Sequence, residues 1–343
     1  MGRIATPPVA GVDYPATLVE FDQWLSSEEA CRDFLQRVRW PEGFQCPACG
    51  ASAAWRTGRG QFRCSVCQRQ TSATAGTIFE GTRKPLRTWF KAMWYVTSQK
   101  QGVNALGLQR VLGLRSYQTA WTWLHKLRRA MVRPGRERLS GRVEVDETYV
   151  GGVERGVRGR EPFAQSIVGM AVQADGDGIG RIRMRRVPNV SADSLLPFVH
   201  EAVERESVVH TDGGRGYARL SEQGDPHDVT TLARSDDPAH AVMPRVQRVA
   251  SLLKRWILGT HHGSISPQHL DYYLDEFTFR FNRRTSQARG LRFYRLLQHG
   301  LEVAPVSYRQ MVGGAQMRDR DREGLREQNG YPITSIVFLL RGH

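Results

Sequence analysis

The sequence predicts an α+β chain of several domains: a small metal-stabilised unit, a helical region, and a larger α/β domain in which helices flank a mixed sheet. Three observations carry this prediction. Two close cysteine pairs lie near the N-terminus, helical periodicity runs through residues 85–131, and the period changes to two after Arg133-Pro134-Gly135. The 343 residues, of which 40% are hydrophobic, suffice for two or three compact units.

The chain is strongly basic throughout. It has 49 Lys and Arg against 34 Asp and Glu, a net charge of +15. This excess favours a polyanionic partner, most simply nucleic acid, because each neutralised phosphate releases counterions; the alternative is a generally basic, solvated surface. The N-terminus lacks a signal-peptide core, and no apolar run approaches about 18 residues, so we expect a cytoplasmic, nucleoid-associated protein without a membrane partner.

The N-terminal region, residues 1–40, contains one clear helix signal. Ser26 and Glu29 form a capping box before EEACRDFLQRVRW, and Pro41-Glu42-Gly43 ends the periodic segment. Cys31 lies on this helix, where a buried apolar role is expected for a lone cysteine.

Residues 41–82 contain two CxxC pairs with fourteen residues between them. Four thiolates at this spacing suit a closed structural Zn²⁺ site, and Thr57-Gly58-Arg59-Gly60 predicts a hairpin between the pairs. A unit this small needs the metal to fold. We therefore predict a zinc ribbon with four ligands: Cys46, Cys49, Cys64 and Cys67.

Residues 83–133 predict three helices, PLRTWFKAMWYVTSQ, NALGLQRVLGL and SYQTAWTWLHKLRRAM, the last capped by Ser116. The short turn between the last two fits a helix-turn-helix that places its second helix in a DNA groove. Candidate DNA contacts on that helix are Gln118, Lys126 and Arg129, whereas Trp121 and Trp123 are expected in the core. An ordinary three-helix connector is the alternative.

Residues 138–300 alternate with the period of strands and then helices. The predicted order is three strands (RVEVDETYV, QSIVGMAVQAD, GRIRMRRV), a helix, a strand (SVVHTD), a helix, a strand and a helix. An antiparallel ribbon that continues into parallel strands with helical crossovers is the plan of a ribonuclease-H-like α/β domain.

Two acids of this domain are predicted to converge. Val143 and Val145 point one way, so Glu144 and Asp146 lie on the opposite face, and Asp212 ends a later strand just before two glycines. If those strands are neighbours, Asp146 and Asp212 share a site that requires divalent cations, Mg²⁺ or Mn²⁺, to offset their repulsion. Two such ions can activate and stabilise oxygens at a phosphodiester.

Several separated stretches together resemble one family: CPAC, FRCSVC, TSATAGTIFEGTRKPLRTWFKAMW, VDETYVGG, VVHTDGGRGY, SLLKRWILGTHHG and HLDYYLDEFTFRFNRR. They are similar to the IS1595-type (ISXO2-like) insertion-sequence transposases over roughly residues 20–300. The resemblance implies a zinc ribbon, a helical DNA-binding part and a DDE-type catalytic domain. In it, Asp146 and Asp212 match the two invariant acids, and Lys254 matches the basic residue of the third motif.

The third motif departs from the family pattern. Members carry Glu, Asn or His seven residues before the lysine, and this chain has Gln247 there. Seven residues are about two helical turns, so Gln247 and Lys254 share a face. A glutamine carbonyl can ligate Mg²⁺ without adding charge, so weaker metal binding is expected. His240 and Glu144 are alternative third ligands.

These features and the resemblance together predict a transposase. We expect it to bind terminal inverted repeats of double-stranded DNA and to cleave and join strands with Mg²⁺ or Mn²⁺. Lys254 and Arg255 are candidate phosphate contacts, with a solvated helix face as the alternative, and the family implies a homodimer or larger assembly on DNA. Two rival hypotheses are a catalytically decayed DNA-binding protein and a hydrolase without strand transfer. Residues 301–343 carry no predicted function.

Overall fold

The computed structural model describes residues 7–132, 135–151, 165–222, 226–230, 242–262 and 265–312. The chain divides into two compact units. The first unit comprises residues 1–134 and 286–343, and the second comprises residues 135–285. Among the described residues, no helix combines the length and the apolar character that a membrane crossing requires.

The described helices are α1 (Leu18–Trp24), α2 (Glu28–Arg39), α3 (Leu86–Ser98), α4 (Ala105–Leu112), α5 (Tyr117–Met131), α6 (Ala192–Ala202), α7 (Arg219–Glu222), α8 (Pro244–His261), α9 (Leu270–Phe281), α10 (Arg289–Glu302) and α11 (Tyr308–Val312). The described strands are β1 (Ala54–Arg56), β2 (Phe62–Cys64), β3 (Gln70–Thr71), β4 (Arg142–Gly151), β5 (Gln165–Asp175), β6 (Gly178–Val187), β7 (Val208–Thr211) and β8 (His227–Val229). Short 3-10 turns occupy Arg215–Tyr217 and Pro267–His269.

Helix α2 begins at Glu28, as EEACRDFLQRVRW predicts, but its N-cap differs from the predicted one. Its N-cap is Ser27, whose hydroxyl accepts a hydrogen bond from the Ala30 amide at 3.1 Å, so the expected cap at Ser26 is wrong. Glu28, the first helical residue, accepts hydrogen bonds from the Leu86 and Arg87 amides and thereby caps α3. Cys31 is fully buried, which confirms its predicted core role.

The helical core of the first unit joins segments that are far apart in sequence. Phe293 of α10 is fully buried, and its ring lies 5.3 Å from that of Phe21, 5.9 Å from Phe90 and 6.3 Å from Phe34. The predicted catalytic domain, residues 138–300, therefore extends too far, because α10 buries its apolar face in the first unit and the second unit ends at Thr285.

The three helices predicted in residues 83–133 are present as α3, α4 and α5. Helix α4 ends at Gly113, whose φ of +62° suits a residue without Cβ, and Ser116 precedes α5. Trp123 stacks on Trp89 with ring centroids 3.9 Å apart, as expected for a core residue. Tyr117 and Gln118 at the start of α5 are exposed, whereas the second half of the helix is mostly buried.

The second unit is built on a five-stranded mixed sheet in the order β6-β5-β4-β7-β8. Strands β6, β5 and β4 are antiparallel, and β4, β7 and β8 are parallel. The predicted mixed sheet flanked by helices is thus confirmed. Val143 and Val145 pack against α6 on one face, while Met170 and Met184 pack against α8 and α9 on the other.

Candidate metal centres

The four predicted zinc ligands come together in the first unit. The ligand atoms of Cys46, Cys49, Cys64 and Cys67 all lie within 4.8 Å of one another. The Sγ atoms of Cys46 and Cys67 are 3.5 Å apart, and those of Cys49 and Cys64 are 3.6 Å apart. Tetrahedral Zn–S bonds place sulfurs about 3.8 Å apart, so the four thiols fit a structural Zn²⁺.

The two cysteine knuckles repeat the same backbone turn. In each, the amide of the first cysteine, Cys46 or Cys64, donates to the carbonyl five residues later, and that cysteine's carbonyl accepts from the amide four residues later. The residue at the fourth position is Gly50 or Gln68, and both have positive φ. The repeated turn directs each pair of thiols toward the other.

The carboxylate site lies on the α8 face of the second sheet. Strands β4 and β7 run parallel with Val143 opposite Val209 and Glu144 opposite His210. The same offset, carried two residues further, sets Asp146 beside Asp212 on one face of the sheet. The structure therefore places Asp146 on β4 and Asp212 at the residue that directly follows β7, the parallel neighbour of β4.

Gln247 lies in this site. Its side-chain Nε2 donates a hydrogen bond to Oδ2 of Asp146 at 2.7 Å. Lys254, two turns further along α8, is exposed and lies near enough to lower the pKa of Asp146. The helix thus brings both predicted third-motif residues to the face that carries Asp146.

The surroundings of the Asp146 carboxyl disfavour its ionised form. Burial, followed by the nearby Glu147 carboxylate and then Asp212, raises its pKa to about 7, against an opposing hydrogen bond from the Glu147 amide and the charge of Lys254. Within the part of the chain that the structure describes, no histidine or third acid completes a cluster here; the four cysteines form the one such cluster. Carboxylate and amide oxygens suit Mg²⁺ or Mn²⁺, and a divalent cation would offset this repulsion.

Both carboxylate oxygens of Glu144, the alternative third ligand, accept hydrogen bonds from the start of α8. It is 1% exposed, and its carboxylate accepts hydrogen bonds from the amides of Arg245 and Val246, both at 2.9 Å, and from the Arg245 guanidinium at 3.0 Å. A carboxylate at a helix N-terminus satisfies free amides and favours the helix dipole. Glu144 thereby fixes the start of α8 and with it the position of Gln247.

Sequence reasoning missed Glu147 and Tyr217. The Tyr217 hydroxyl donates to Oε2 of Glu147 at 2.9 Å, and burial together with the nearby carboxylates holds the pKa of Tyr217 well above its usual value. Asp212 accepts a hydrogen bond from the Gly214 amide at 2.8 Å. The available signal was the tyrosine five residues after Asp212 in TDGGRGY.

The predicted DNA contacts divide into two groups. Gln118, Lys254 and Arg255 are exposed. Arg129 is 4% exposed, and Lys126 is largely buried, donates to the Ile78 carbonyl at 3.4 Å and has a pKa lowered by burial. The Lys126 and Arg129 side chains thus lie against the first unit, and their role in DNA contact stays a prediction. His240 lies outside the described residues.

Asp146→Asn is expected to stabilise the protein at pH 8 without added Mg²⁺ or Mn²⁺. The pKa of Asp146 rises from 3.8 to about 7 on folding, so the free energy of unfolding falls as pH rises through that window. Asparagine cannot ionise, so the variant avoids this loss of stability. We expect its free energy of unfolding at pH 8 to exceed that of wild type by roughly 1 to 3 kcal/mol, at about 1.4 kcal/mol per pKa unit.

Urea unfolding of wild type and Asp146→Asn at pH 4 and pH 8 measures this effect. The gain should be present at pH 8 and absent at pH 4. Equal stability of the two proteins at pH 8 would show that the native carboxylate carries no such cost.

Comparison with known proteins identifies the family. An ISXO2-like transposase domain matches residues 138–282, and a transposase zinc-ribbon domain matches residues 26–70, together more than half of the chain. A protein in transposable element ISH50 of Halobacterium salinarum is 27% identical over 274 residues, 74% of this chain and 90% of that protein. A transposase-like protein of Haemophilus influenzae is 29% identical over 96 residues, 28% of this chain and 76% of that protein. The chain therefore belongs to the IS1595 family of ISXO2-like insertion-sequence transposases.

Proposed function

We propose that this protein binds the terminal inverted repeats of its element and catalyses metal-dependent cleavage and strand transfer of DNA. The observation that carries the proposal is the position of Asp146 on β4 and of Asp212 directly after the adjacent parallel strand β7, with Gln247 hydrogen-bonded to Asp146. The sheet order, an antiparallel ribbon continued by parallel strands, supports a ribonuclease-H-like assignment of the second unit. The basic chain supports a DNA partner.

Asp146 and Asp212 would hold Mg²⁺ or Mn²⁺, with the Gln247 carbonyl as a neutral third donor once its amide turns. The bound ions would supply an activated attacking oxygen and stabilisation of the leaving oxygen at the phosphodiester. Lys254 is exposed beside the acids, where its ammonium can hold a scissile-strand phosphate, and Arg255 can contact the backbone nearby. Cleavage and joining are both in-line displacements, so one site serves both.

DNA recognition is proposed for the zinc ribbon and for the exposed start of α5, where Gln118 lies. The turn between α4 and α5 has the short length of a helix-turn-helix. Because two element ends must be joined, we propose that the protein acts as a dimer or larger assembly on DNA.

A labelled duplex carrying the flanking inverted repeat, incubated with Mg²⁺ or Mn²⁺ and either wild type or Asp146→Ala, tests the function. Cleavage and joined products that disappear in Asp146→Ala are expected. Binding without cleavage, unchanged by the substitution, would contradict catalysis, and cleavage without joined products would identify a hydrolase.

One observation favours a second candidate, a decayed DNA-binding protein. Gln247 presents its amide N–H to Asp146 and occupies a carboxylate lone pair that a cation would need. In that case the inverted repeat would be bound tightly with or without divalent ions, and no product would form.

Gln247→Glu is expected to raise Mn²⁺ affinity and cleavage by about tenfold, because a third carboxylate strengthens a hard cation site. Ser251→Glu is the matched control, since it adds the same charge one helical turn further along α8 at an exposed position. Mn²⁺ titration and cleavage rates measure both variants. Equal responses of the two would mean that added charge alone, and not a ligand at position 247, explains the gain.

A further inference from the structure

The loop after Asp212 leads into a tightly packed turn that ends at Tyr217. Tyr217 is 1% exposed, and its ring packs in the core beneath α6. Gly216 packs closely against the start of α6 and the residues before it. A Cβ at this position would lie 2.4 Å from the Val190 carbonyl oxygen and 2.7 Å from the Leu195 side chain. The turn is therefore held in one position against its own unit.

The Tyr217 hydroxyl crosses from this turn to strand β4. It donates to Oε2 of Glu147 at 2.9 Å, and Glu147 directly follows Asp146. On the Asp212 side, the Gly214 amide donates to Oδ1 of Asp212 at 2.8 Å. On the Asp146 side, the Glu147 amide donates to Oδ1 of Asp146 at 2.8 Å. A continuous chain of short contacts thus links the two acids around the edge of their site.

We propose that Tyr217 is a positioning residue, and that its hydrogen bond to Glu147 holds the Asp212 loop against β4 and so sets the spacing of Asp146 and Asp212 for divalent cations. This inference rests on the proposed function of the two acids as a metal site. Strand β7 ends at Thr211, so Asp212 lies just beyond the ladder that aligns β7 with β4. The hydrogen bond from Tyr217 to Glu147 joins the Asp212 loop to β4 beyond that ladder.

The alternative role for Glu147 is that of a direct metal ligand. The geometry favours the acceptor role, because successive side chains of a strand point to opposite faces, and Glu147 points to the Tyr217 side while Asp146 points to Gln247. An isosteric change separates the two roles. Glutamine at 147 keeps an oxygen for the Tyr217 hydroxyl and loses the charge that a ligand would contribute.

Mn²⁺ binding to the zinc-loaded full chain, measured by the electron paramagnetic resonance signal of free Mn²⁺, tests the proposal. Tyr217→Phe keeps the buried ring, and Glu147→Ala leaves Tyr217 in place but removes the acceptor. Both are expected to weaken Mn²⁺ binding by about 10- to 100-fold, the usual cost of losing a partner that orients ligands. Glu147→Gln should bind close to wild type, and far-UV circular dichroism confirms that each variant is folded.

Wild-type affinity in Tyr217→Phe would overturn the proposal, and so would equal losses in Glu147→Gln and Glu147→Ala, which would identify a ligand. Asp146→Asn is measured in parallel. If it binds Mn²⁺ like wild type, the metal site itself is refuted and the positioning role falls with it. If only Asp146→Asn loses binding, the metal site stands and Tyr217 serves packing alone.

Discussion

Cys64→Ser is expected to unfold the zinc ribbon and release its metal. Cys64 is fully buried among the ribbon's few apolar side chains, and the three strands of the ribbon hold two or three residues each. Structural zinc supplies on the order of 10 kcal/mol to such units, far more than this small core provides. Zinc content per chain and hydrogen exchange of the β1–β3 amides measure the loss.

Cys31→Ala is the matched control for that experiment. Cys31 is as deeply buried as Cys64 and lies on α2, away from the four-cysteine cluster. It should keep its zinc and a protected ribbon. Retention of zinc by Cys64→Ser with unchanged protection would show that three thiolates suffice for folding.

Glu144→Ala is expected to lower the free energy of unfolding of the second unit by about 3 to 5 kcal/mol, because removing one partner of a buried ion pair leaves the Arg245 charge without its carboxylate and two helix amides without an acceptor. Glu144 is 1% exposed and makes all three of those hydrogen bonds. The loss should also release the start of α8 and reduce the contact between Gln247 and Asp146. Hydrogen exchange of the β4 and α8 amides reports this unit separately from the first.

Glu137→Ala provides the comparison, because Glu137 pairs with Arg181 at 3.1 Å in the same unit with both side chains well exposed. An exposed pair of this kind contributes less than about 1 kcal/mol. Similar losses in the two variants would mean that Glu144 stabilises the fold by its charge alone and not by capping α8.

Local patterns in the sequence predicted much of this structure. The CxxC spacing identified the four cysteines that converge. Strand alternation predicted that Asp146 and Val145 point to opposite faces of the sheet, and in the structure Asp146 lies on the face that α8 covers. The neighbouring serines Ser26 and Ser27 differ only in which one meets the Ala30 amide, a choice that spacing alone does not make. Gln247 contacts Asp146 directly, and its part in a metal site stays a prediction.

Long-range contacts were beyond the reach of those patterns. Glu28 caps α3 from 58 residues away, and Glu144 caps α8 from 101 residues away. Tyr217 reaches Glu147 across 70 residues. A buried glutamate that serves a distant helix looks, in sequence, like any strand or helix glutamate. Arg129 similarly looked like a surface arginine until the burial of its helix face was known.

The discontinuity of the first unit has a consequence for how the protein is made. Phe21, Phe34 and Phe90 emerge from the ribosome early, but Phe293, the ring that packs against all three, is synthesised only after the entire second unit. Part of the apolar core of the first unit therefore stays exposed to solvent while residues 135–285 are translated. A gene copy interrupted before α10 would therefore leave a complete second unit attached to an unfinished, aggregation-prone first unit.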